Sequence, residues 1–200
     1  MKTTLFAIVC AALLLADAEA QVKTGAPAPE FSLQSVDGRT VRLSDYRGKI
    51  VVLEWINFGC PFVLNHYRGG AMPAVQAEMA GQGIVWLAIN STHPQHADHR
   101  PAEKLAAQAK EMGLKSTALL LDPEGAVGRL YGAKTTPHMF VVDASGNVAY
   151  QGAVDDQPRT KGDPRMAKNY VRAAVEDLRA GKTVAIPETK AYGCSVKYAK

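Results

Sequence analysis

The chain has 200 residues, of which 47% are hydrophobic and 21% charged, and its formal net charge is +4. This length suits one globular domain with tails, and the composition excludes a collagen, a coiled-coil rod, a disordered chain and a disulfide-dense miniprotein. The basic excess is small and contains no basic run, so neither nucleic-acid binding nor a polybasic membrane patch is indicated.

The first 20 residues have the pattern of a cleavable export signal. Lys2 precedes an apolar stretch over residues 5–16, which is too short to span a bilayer as a stable anchor. Ala18-Glu19-Ala20 then offers the small-x-small pattern of a signal-peptidase site, which predicts cleavage after Ala20. We therefore expect a periplasmic or secreted protein, and the alternative is a membrane anchor that remains attached.

The mature chain opens with a predicted hairpin and two core strands. Apolar and polar residues alternate over residues 30–35 and 40–43 on either side of Asp37-Gly38, which is typical of a β-hairpin. Residues 49–56 and 84–90 are apolar almost throughout. Such runs indicate central, neighbouring strands that are covered on both faces.

Helices are predicted between and after these strands. Pro61 suits the first position of a helical stretch that starts at Cys60 and runs towards Gly81. The other predicted elements are helices over 102–113, 124–132 and 165–180 and strands over 117–122, 138–143 and 148–152. Alternating strands and helices predict a three-layer α/β/α sandwich around a largely parallel sheet, with an N-terminal β-hairpin. The terminal hairpin over 138–152 is expected to add antiparallel strands. We expect one domain over residues 21–181 and an irregular tail over 182–200.

Two cysteines remain once Cys10 leaves with the signal segment, and they are Cys60 and Cys194. Cys60 lies where a core strand gives way to a helix, so its thiol meets unpaired backbone N–H groups and the positive end of the helix dipole. Both favour the thiolate and predict a pKa below the value of about 8.5 of a free cysteine. The alternative is a buried, unreactive cysteine.

Two segments of the chain carry a family resemblance. The first is GAPAPEFSLQSVDGRTVRLSDYRGKIVVLEWINFGCPF, and the second is Thr135-Thr136-Pro137 followed by HMFVVDASGNVAYQG. Together they resemble the redoxin group, which holds the alkyl hydroperoxide reductase/thiol-specific antioxidant proteins and the exported thioredoxin-like proteins. The resemblance implies a thioredoxin-like fold, with Cys60 as the attacking cysteine and a cis Pro137 beside it. It also implies a thiol oxidoreductase with antioxidant activity that needs no metal or organic cofactor.

Two departures from the patterns of that group leave the substrate open. Val63 occupies the place of the second cysteine of thioredoxins, so Cys60 has no local disulfide partner. Asn57 and Leu53 replace the hydroxyl residue and the proline that typically precede a peroxidatic cysteine. Asn57 still offers hydrogen bonds. Both disulfide exchange with a protein and peroxide reduction therefore remain possible.

Cys194 is the candidate resolving cysteine. It lies in a polar tail without core periodicity, and two cysteines in an oxidising compartment can form a disulfide. The alternatives are a free thiol or a purely structural Cys60–Cys194 disulfide. A catalytic pair is favoured because a thiolate at a helix N-terminus leaves readily and makes its disulfide more reducible.

Acidic residues are also expected to matter. Glu54 interrupts an apolar strand six residues before Cys60, where thioredoxins carry a buried carboxylate. Burial would raise its pKa towards 7 and suit it to proton transfer with the thiols, whereas an exposed Glu would pair with a lysine. The chain direction places Asp155 and Asp156 at the same rim as Cys60, where they set substrate charge preference or cap the loop before Pro158.

Several further residues are assigned by position. The residues expected beside the substrate are Asn57, Pro61 and Thr136. His66 lies on a different helix face from Cys60 and is assigned a structural or surface role. The histidines of the loop after residue 90 are His93, His96 and His99. Prolines break this loop, so we expect a solvated segment rather than a metal site.

The leading interpretation is an exported thiol oxidoreductase in which Cys60 attacks a disulfide or a peroxide and Cys194 resolves the product. Its partners would be a reducing thiol protein, either thioredoxin-like or a membrane reductase, and a disulfide protein or peroxide as substrate. The alternative from a different class is a non-catalytic binding module on a thioredoxin scaffold, because fold does not fix function.

Overall fold

A computed structural model of the protein describes residues 22–199. The predicted signal segment, with Cys10 and the cleavage site at Ala20, lies outside the described residues. Within residues 22–199, no helix is long and apolar enough to cross a membrane.

Strands and helices alternate through most of the described chain. The strands are β1 (Ser32–Ser35), β2 (Thr40–Arg42), β3 (Val51–Trp55), β4 (Val85–Asn90), β5 (Ala118–Leu121), β6 (Thr135–Thr136), β7 (His138–Val142), β8 (Val148–Gly152) and β9 (Cys194–Ser195). The α-helices are α1 (Pro61–Arg68), α2 (Ala71–Gly81), α3 (Ala102–Glu111), α4 (Ala126–Leu130) and α5 (Tyr170–Arg179). Short 3-10 helices cover Leu43–Tyr46 and Pro164–Met166.

Seven strands form one sheet in the order β2-β1-β5-β4-β3-β7-β8. The predicted core strands are neighbours, because β3 pairs in parallel with β4 and Val51 lies opposite Val85. The expectation of a largely parallel sheet is wrong. Only the β3–β4 and β4–β5 pairs of this sheet are parallel. The N-terminal hairpin joins β5 in the antiparallel direction, and β7 runs back beside β3, so the sheet is mixed.

Helices cover both faces of the sheet and give the expected three layers. Val52 faces a core shared with residues of α1, α2, α3 and α5. Leu53 and Trp55 point to the opposite face, where they join a core that includes Tyr131 and Phe140. The alternation along β3 thus divides the apolar interior between two layers.

Two helices differ from the expected boundaries. The helical stretch towards Gly81 is broken into α1 and α2 because Gly70 adopts the left-handed conformation, with φ +73°. The last helix begins at Tyr170 rather than at residue 165. Asn169 caps it by accepting a 2.8 Å hydrogen bond from the backbone N–H of Arg172.

The C-terminal tail is irregular for most of its length, but it packs against the domain. Its short strand β9 pairs in the antiparallel direction with β6, the two residues before Pro137. Val196 is buried, and its N–H donates to the carbonyl of Lys134 over 3.1 Å. Tyr198 donates from its hydroxyl to the carbonyl of Ala133 over 2.8 Å. These contacts hold Cys194 at the edge of the domain that carries Cys60.

Candidate active site

Cys60 occupies the N-cap position of α1, with extended backbone angles, and Pro61 follows as the first helical residue. This is the strand-to-helix corner that the sequence predicts. The side chain is 2% exposed. Its thiol donates to the backbone carbonyl of Thr136 over 2.9 Å. The Cys60 sulfur therefore lies just beneath the surface, with the exposed Pro61 beside it.

The Thr136–Pro137 peptide bond is cis, as the family resemblance implies. Thr136 lies directly opposite Cys194 in the β6–β9 pair. Gly193 makes this approach possible because its φ of +141° favours glycine and a Cβ there would lie 2.7 Å from the carbonyl carbon of Thr136. The tail can therefore reach the cis-proline loop only with a glycine before Cys194.

The Cys60 and Cys194 thiols are neighbours, and both are free in this structure. Burial opposes ionisation of Cys60, but hydrogen bonds from the Cys194 thiol and the N–H of Val63 outweigh it and bring its pKa below the ordinary value. Burial, the hydrogen bond to Cys60 and the negative charge on Cys60 raise the pKa of Cys194 to about 11. Of the two thiols, Cys60 is therefore the one that ionises first, and Cys194 is the one that keeps its proton and donates to it.

The hydroxyl of Thr136 is buried without a hydrogen-bond partner among the described residues. It is also one of the groups that lower the pKa of Cys60. A buried hydroxyl without a partner is costly, and such atoms are uncommon in folded proteins. Its position makes it a donor available to negative charge on the Cys60 sulfur.

A buried asparagine shapes the turn that leads into Cys60. The N–H of Gly59 donates to Oδ1 of Asn57 over 2.7 Å, and Nδ2 of Asn57 donates to Asp98 over 3.3 Å. Asp98 packs so closely over Gly59 that a Cβ there would lie 2.9 Å from its carboxyl carbon. The Asn57 side chain is buried, and its two polar atoms bond Gly59 in the turn and Asp98 on the facing loop. Its place beside the substrate stays a prediction.

Glu54 is fully buried, which decides between its two predicted environments. Both carboxylate oxygens accept from the hydroxyl of Tyr67, and Oε2 also accepts from Gln76 and Trp86. Burial raises its pKa to about 7, although these hydrogen bonds oppose the shift. In the described part of the chain its hydrogen bonds reach no cysteine. Its role in proton transfer to the thiols stays a prediction.

The tail residue Tyr192 forms a polar cluster with His66 and Asp155, which are both buried in the domain. The hydroxyl of Tyr192 donates to Oδ1 of Asp155 over 2.5 Å and lies 3.1 Å from Nε2 of His66. Asp155 also accepts from the N–H of Gln157, so it caps its own loop as one prediction had it. Asp156 is exposed and accepts from the N–H of Lys168.

Within residues 22–199, no group of three or more His, Cys, Asp or Glu side chains is placed to hold a metal ion. His96 instead lies 3.8 Å from Asp98, on the loop that covers the turn before Cys60. Of the three loop histidines, His96 is exposed, whereas His93 and His99 are half-buried.

Sequence reasoning missed three residues around the cysteines: Asp98, Tyr192 and Gly193. Asp98 gave no signal, because a lone carboxylate in a polar loop is usually solvated. Tyr192 and Gly193 stand immediately before Cys194. An aromatic residue and a glycine in a polar tail beside a cysteine were the available indication that the tail docks.

Comparisons with known proteins agree with this geometry. A model of the AhpC/TSA family matches residues 24–151. The chain is 31% identical over 129 residues to the thiol-disulfide oxidoreductase ResA of Geobacillus thermodenitrificans (strain NG80-2), which covers 64% of this chain and 67% of that protein.

Two solved structures are similar over nearly the whole chain. An uncharacterized conserved protein from Geobacillus kaustophilus superimposes with a TM-score of 0.79 at 28% identity, covering 90% of this chain and 94% of that one. A hypothetical protein from Sinorhizobium meliloti 1021 gives a TM-score of 0.77 at 28% identity, covering 90% and 96%.

Proposed function

This chain belongs to the AhpC/TSA family, and on that premise we propose that it is a thiol-disulfide oxidoreductase whose Cys60 and Cys194 cycle between dithiol and disulfide. The observation that carries the proposal is the pairing of two free thiols whose pKa values are shifted in opposite directions. The name of the ResA relative, thiol-disulfide oxidoreductase, supports the same activity.

In the first step the Cys60 thiolate attacks one sulfur of a partner disulfide. A bond forms between that sulfur and Cys60, the partner's S–S bond breaks, and the second partner sulfur leaves as a thiolate. The hydrogen bonds from Cys194 and Val63 lower the pKa of Cys60 and so increase the fraction of the attacking thiolate near neutral pH.

In the second step Cys194 attacks the Cys60 sulfur of the mixed disulfide. The charge on Cys60 and the hydrogen bond to it disappear when the mixed disulfide forms, and both had raised the pKa of Cys194. Cys194 therefore ionises more easily once it is needed. The Cys60–Cys194 bond forms and the partner leaves as a second thiolate. The partner disulfide has gained two electrons from this chain. A reducing thiol protein then supplies two electrons that reduce the Cys60–Cys194 disulfide again.

A second candidate substrate is a peroxide. It is favoured by the burial of Cys60 beneath the docked tail, because a small oxidant needs less displacement of the tail than a protein disulfide does. The Cys60 thiolate would take one peroxide oxygen to give a sulfenic acid, with water leaving after protonation. Condensation of the sulfenic acid with the Cys194 thiol would release a second water and give the same disulfide.

Peptide mapping of the oxidised protein tests the proposal. We expect an intrachain Cys60–Cys194 disulfide. Cys194→Ser should accumulate a mixed disulfide between Cys60 and a disulfide-containing peptide, and Cys60→Ser should lose exchange altogether. A free Cys194 in the oxidised protein, or one linked between chains, would overturn the resolving role.

The same Cys194→Ser variant separates the two substrates. Treatment with hydrogen peroxide followed by a sulfenic-acid trap reports peroxide attack, while a disulfide peptide reports exchange. Faster sulfenic-acid formation than mixed-disulfide formation at equal concentrations would favour the peroxidase. If neither reaction is measurable and the Cys60 pKa is ordinary, the chain is a non-catalytic binding module.

The place of action is proposed from the N-terminal sequence. The pattern of residues 1–20 supports export to the periplasm or secretion. Both are oxidising compartments, in which a cysteine pair can form a disulfide. N-terminal sequencing of the protein from its native host should begin at Gln21. A mature chain that begins at Met1 would contradict the prediction.

A further inference from the structure

We propose that Tyr192 is a positioning residue that holds Cys194 against Cys60, with the buried pair His66 and Asp155 as its anchor. The inference rests on the proposed function, because positioning matters only if Cys194 reacts with Cys60. Tyr192 stands two residues before Cys194, and only Gly193, which has no side chain, separates them.

The Tyr192 side chain ties the tail to the helix that carries Cys60. Its ring packs against Phe62, with ring centroids 5.8 Å apart, and stacks on His66 at 6.5 Å. Both contacts lie on α1, and Cys60 is the N-cap of that helix. A shift of Tyr192 would therefore change the placement of Cys194 relative to the attacking sulfur itself.

The hydrogen bonds of this cluster form a directed chain. The Tyr192 hydroxyl has one proton, which it donates to Asp155 over 2.5 Å. Its oxygen is then free to accept from Nε2–H of His66 at 3.1 Å. Each of the two anchor residues is 3% exposed. Among the described residues, withdrawal of the tail would leave the Asp155 carboxylate with one hydrogen-bond donor, the N–H of Gln157, and with Nε2 of His66 3.9 Å away.

This anchor acts without the disulfide. Both thiols are free, yet Tyr192 is seated and β9 is paired with β6. A buried carboxylate that loses a hydroxyl donor is penalised, so the tail is kept in place in the reduced protein as well. Gly193 links the anchor directly to Cys194, and its close approach to Thr136 leaves little slack between them. The anchor thereby raises the effective concentration of the Cys194 thiol at Cys60.

Equilibration with glutathione measures that effective concentration. We compare wild type with Tyr192→Phe, which keeps the ring and removes the hydroxyl. Tyr131→Phe is the matched control, because it removes a buried tyrosine hydroxyl that donates to the backbone of Pro29, away from the cysteines. We expect Tyr192→Phe to lower the effective concentration about tenfold, which raises the reduction potential by about 30 mV.

The control separates positioning from general destabilisation. Tyr131→Phe should lower the melting temperature as much as Tyr192→Phe does but leave the potential unchanged. Equal potentials in the two variants would overturn the positioning role. A wild-type protein that forms no Cys60–Cys194 disulfide would instead overturn the proposed function, so the two failures are distinguishable.

Asp155→Asn provides a second measurement if Tyr192→Phe folds poorly. The amide oxygen can still accept from Tyr192, but the bond is no longer assisted by charge, and we expect a loss of effective concentration of about threefold. Trypsin cleavage after the exposed Lys190 should accelerate in both anchor variants of the reduced protein and not in Tyr131→Phe. Unchanged cleavage together with an unchanged potential in Asp155→Asn would also count against the proposal.

Discussion

Cys194 lies directly opposite Thr136 in the antiparallel β6–β9 pair, and the carbonyl of Thr136 accepts a 2.9 Å hydrogen bond from the thiol of Cys60. One residue of the cis-proline loop thus contacts both halves of the cysteine pair. The geometry makes the pKa of Cys60 depend on the tail as well as on the start of α1.

Removal of the Cys194 thiol should make Cys60 react more slowly near neutral pH, because a smaller fraction of it is ionised. Cys194→Ala loses one of the hydrogen bonds that lower the pKa of Cys60. A net hydrogen bond worth about 1 kcal/mol corresponds to about a fivefold smaller thiolate population below the pKa. The alkylation rate of Cys60 as a function of pH measures this change.

Cys194→Ser is the matched control, because its hydroxyl can still donate to the Cys60 sulfur. We expect its alkylation profile to lie closer to wild type than that of Cys194→Ala. Identical profiles for wild type and Cys194→Ala would show that the tail does not influence the ionisation of Cys60.

Gly193→Ala should loosen the tail. A Cβ at this position would overlap the Thr136 carbonyl, and the φ of +141° is unfavourable for alanine. Strain of about 1–3 kcal/mol would shift the equilibrium of the docked tail towards release by about 5- to 150-fold. At a pH high enough to ionise Cys60 in both proteins, the loss of the Cys194 hydrogen bond does not slow the reaction. We then expect faster alkylation of the uncovered Cys60 in the reduced variant, measured by mass spectrometry of its peptide.

Gly162→Ala separates backbone strain from the clash. Gly162 has a φ of +112°, but a Cβ there would meet nothing within 4 Å. This variant should lose stability without a faster Cys60 reaction. Similar Cys60 rates in the two alanine variants would contradict the close approach of Gly193 to the cis-proline loop.

The sequence was sufficient for the local features of the fold. The apolar runs of β3 and β4 identified neighbouring core strands, and Cys60-Pro61 identified the start of α1. The antiparallel entry of β1 beside β5 was not predictable. It depends on which sheet edge the hairpin covers, and strand patterns carry no information on that choice.

The site was predictable in its chemistry but not in its assembly. Cys60 was recognisable from its position at a helix start, and Glu54 from its position in an otherwise apolar strand. The anchor of the tail joins His66 to Tyr192, 126 positions apart in the chain. His66 looked structural because its own helix gives no indication of the tail that packs on it. Such partners are selected by tertiary packing, which short-range periodicity does not encode.

Thr136→Val should raise the pKa of Cys60 without destabilising the protein. While Cys60 carries its proton, the buried Thr136 hydroxyl has no hydrogen-bond partner among the described residues, so its removal relieves a desolvation cost. The hydroxyl donates to the sulfur only once Cys60 is ionised. We expect an unfolding free energy within about 0.5 kcal/mol of wild type, or higher. Because the hydroxyl helps to lower the pKa of Cys60, alkylation at pH 6 should slow. Thr136→Ser keeps the hydroxyl and should behave like wild type; slower alkylation in this variant too would assign the effect to packing.

Glu54 should make the protein less stable as pH rises from about 4.5 to about 7. Its pKa is raised from 4.5 to about 7 in the folded state. The folded chain therefore holds a proton that the unfolded chain releases, and stability falls as pH rises. A pKa shift of this size corresponds to a loss of about 3 kcal/mol in the free energy of unfolding between pH 4.5 and about pH 7.

Glu54→Gln removes this titration and keeps the hydrogen bonds. The amide oxygen can accept from Gln76 and Trp86, which both donate to Oε2 of Glu54, and the amide nitrogen can donate to the oxygen of Tyr67. Urea unfolding at several pH values should show the wild type losing stability relative to this variant between about pH 4.5 and about pH 7. Glu103→Gln, on the exposed face of α3, controls for the loss of one negative charge and should run parallel to wild type. A Glu54→Gln curve that also runs parallel to wild type would show that the carboxyl already ionises at its ordinary pKa, despite its burial.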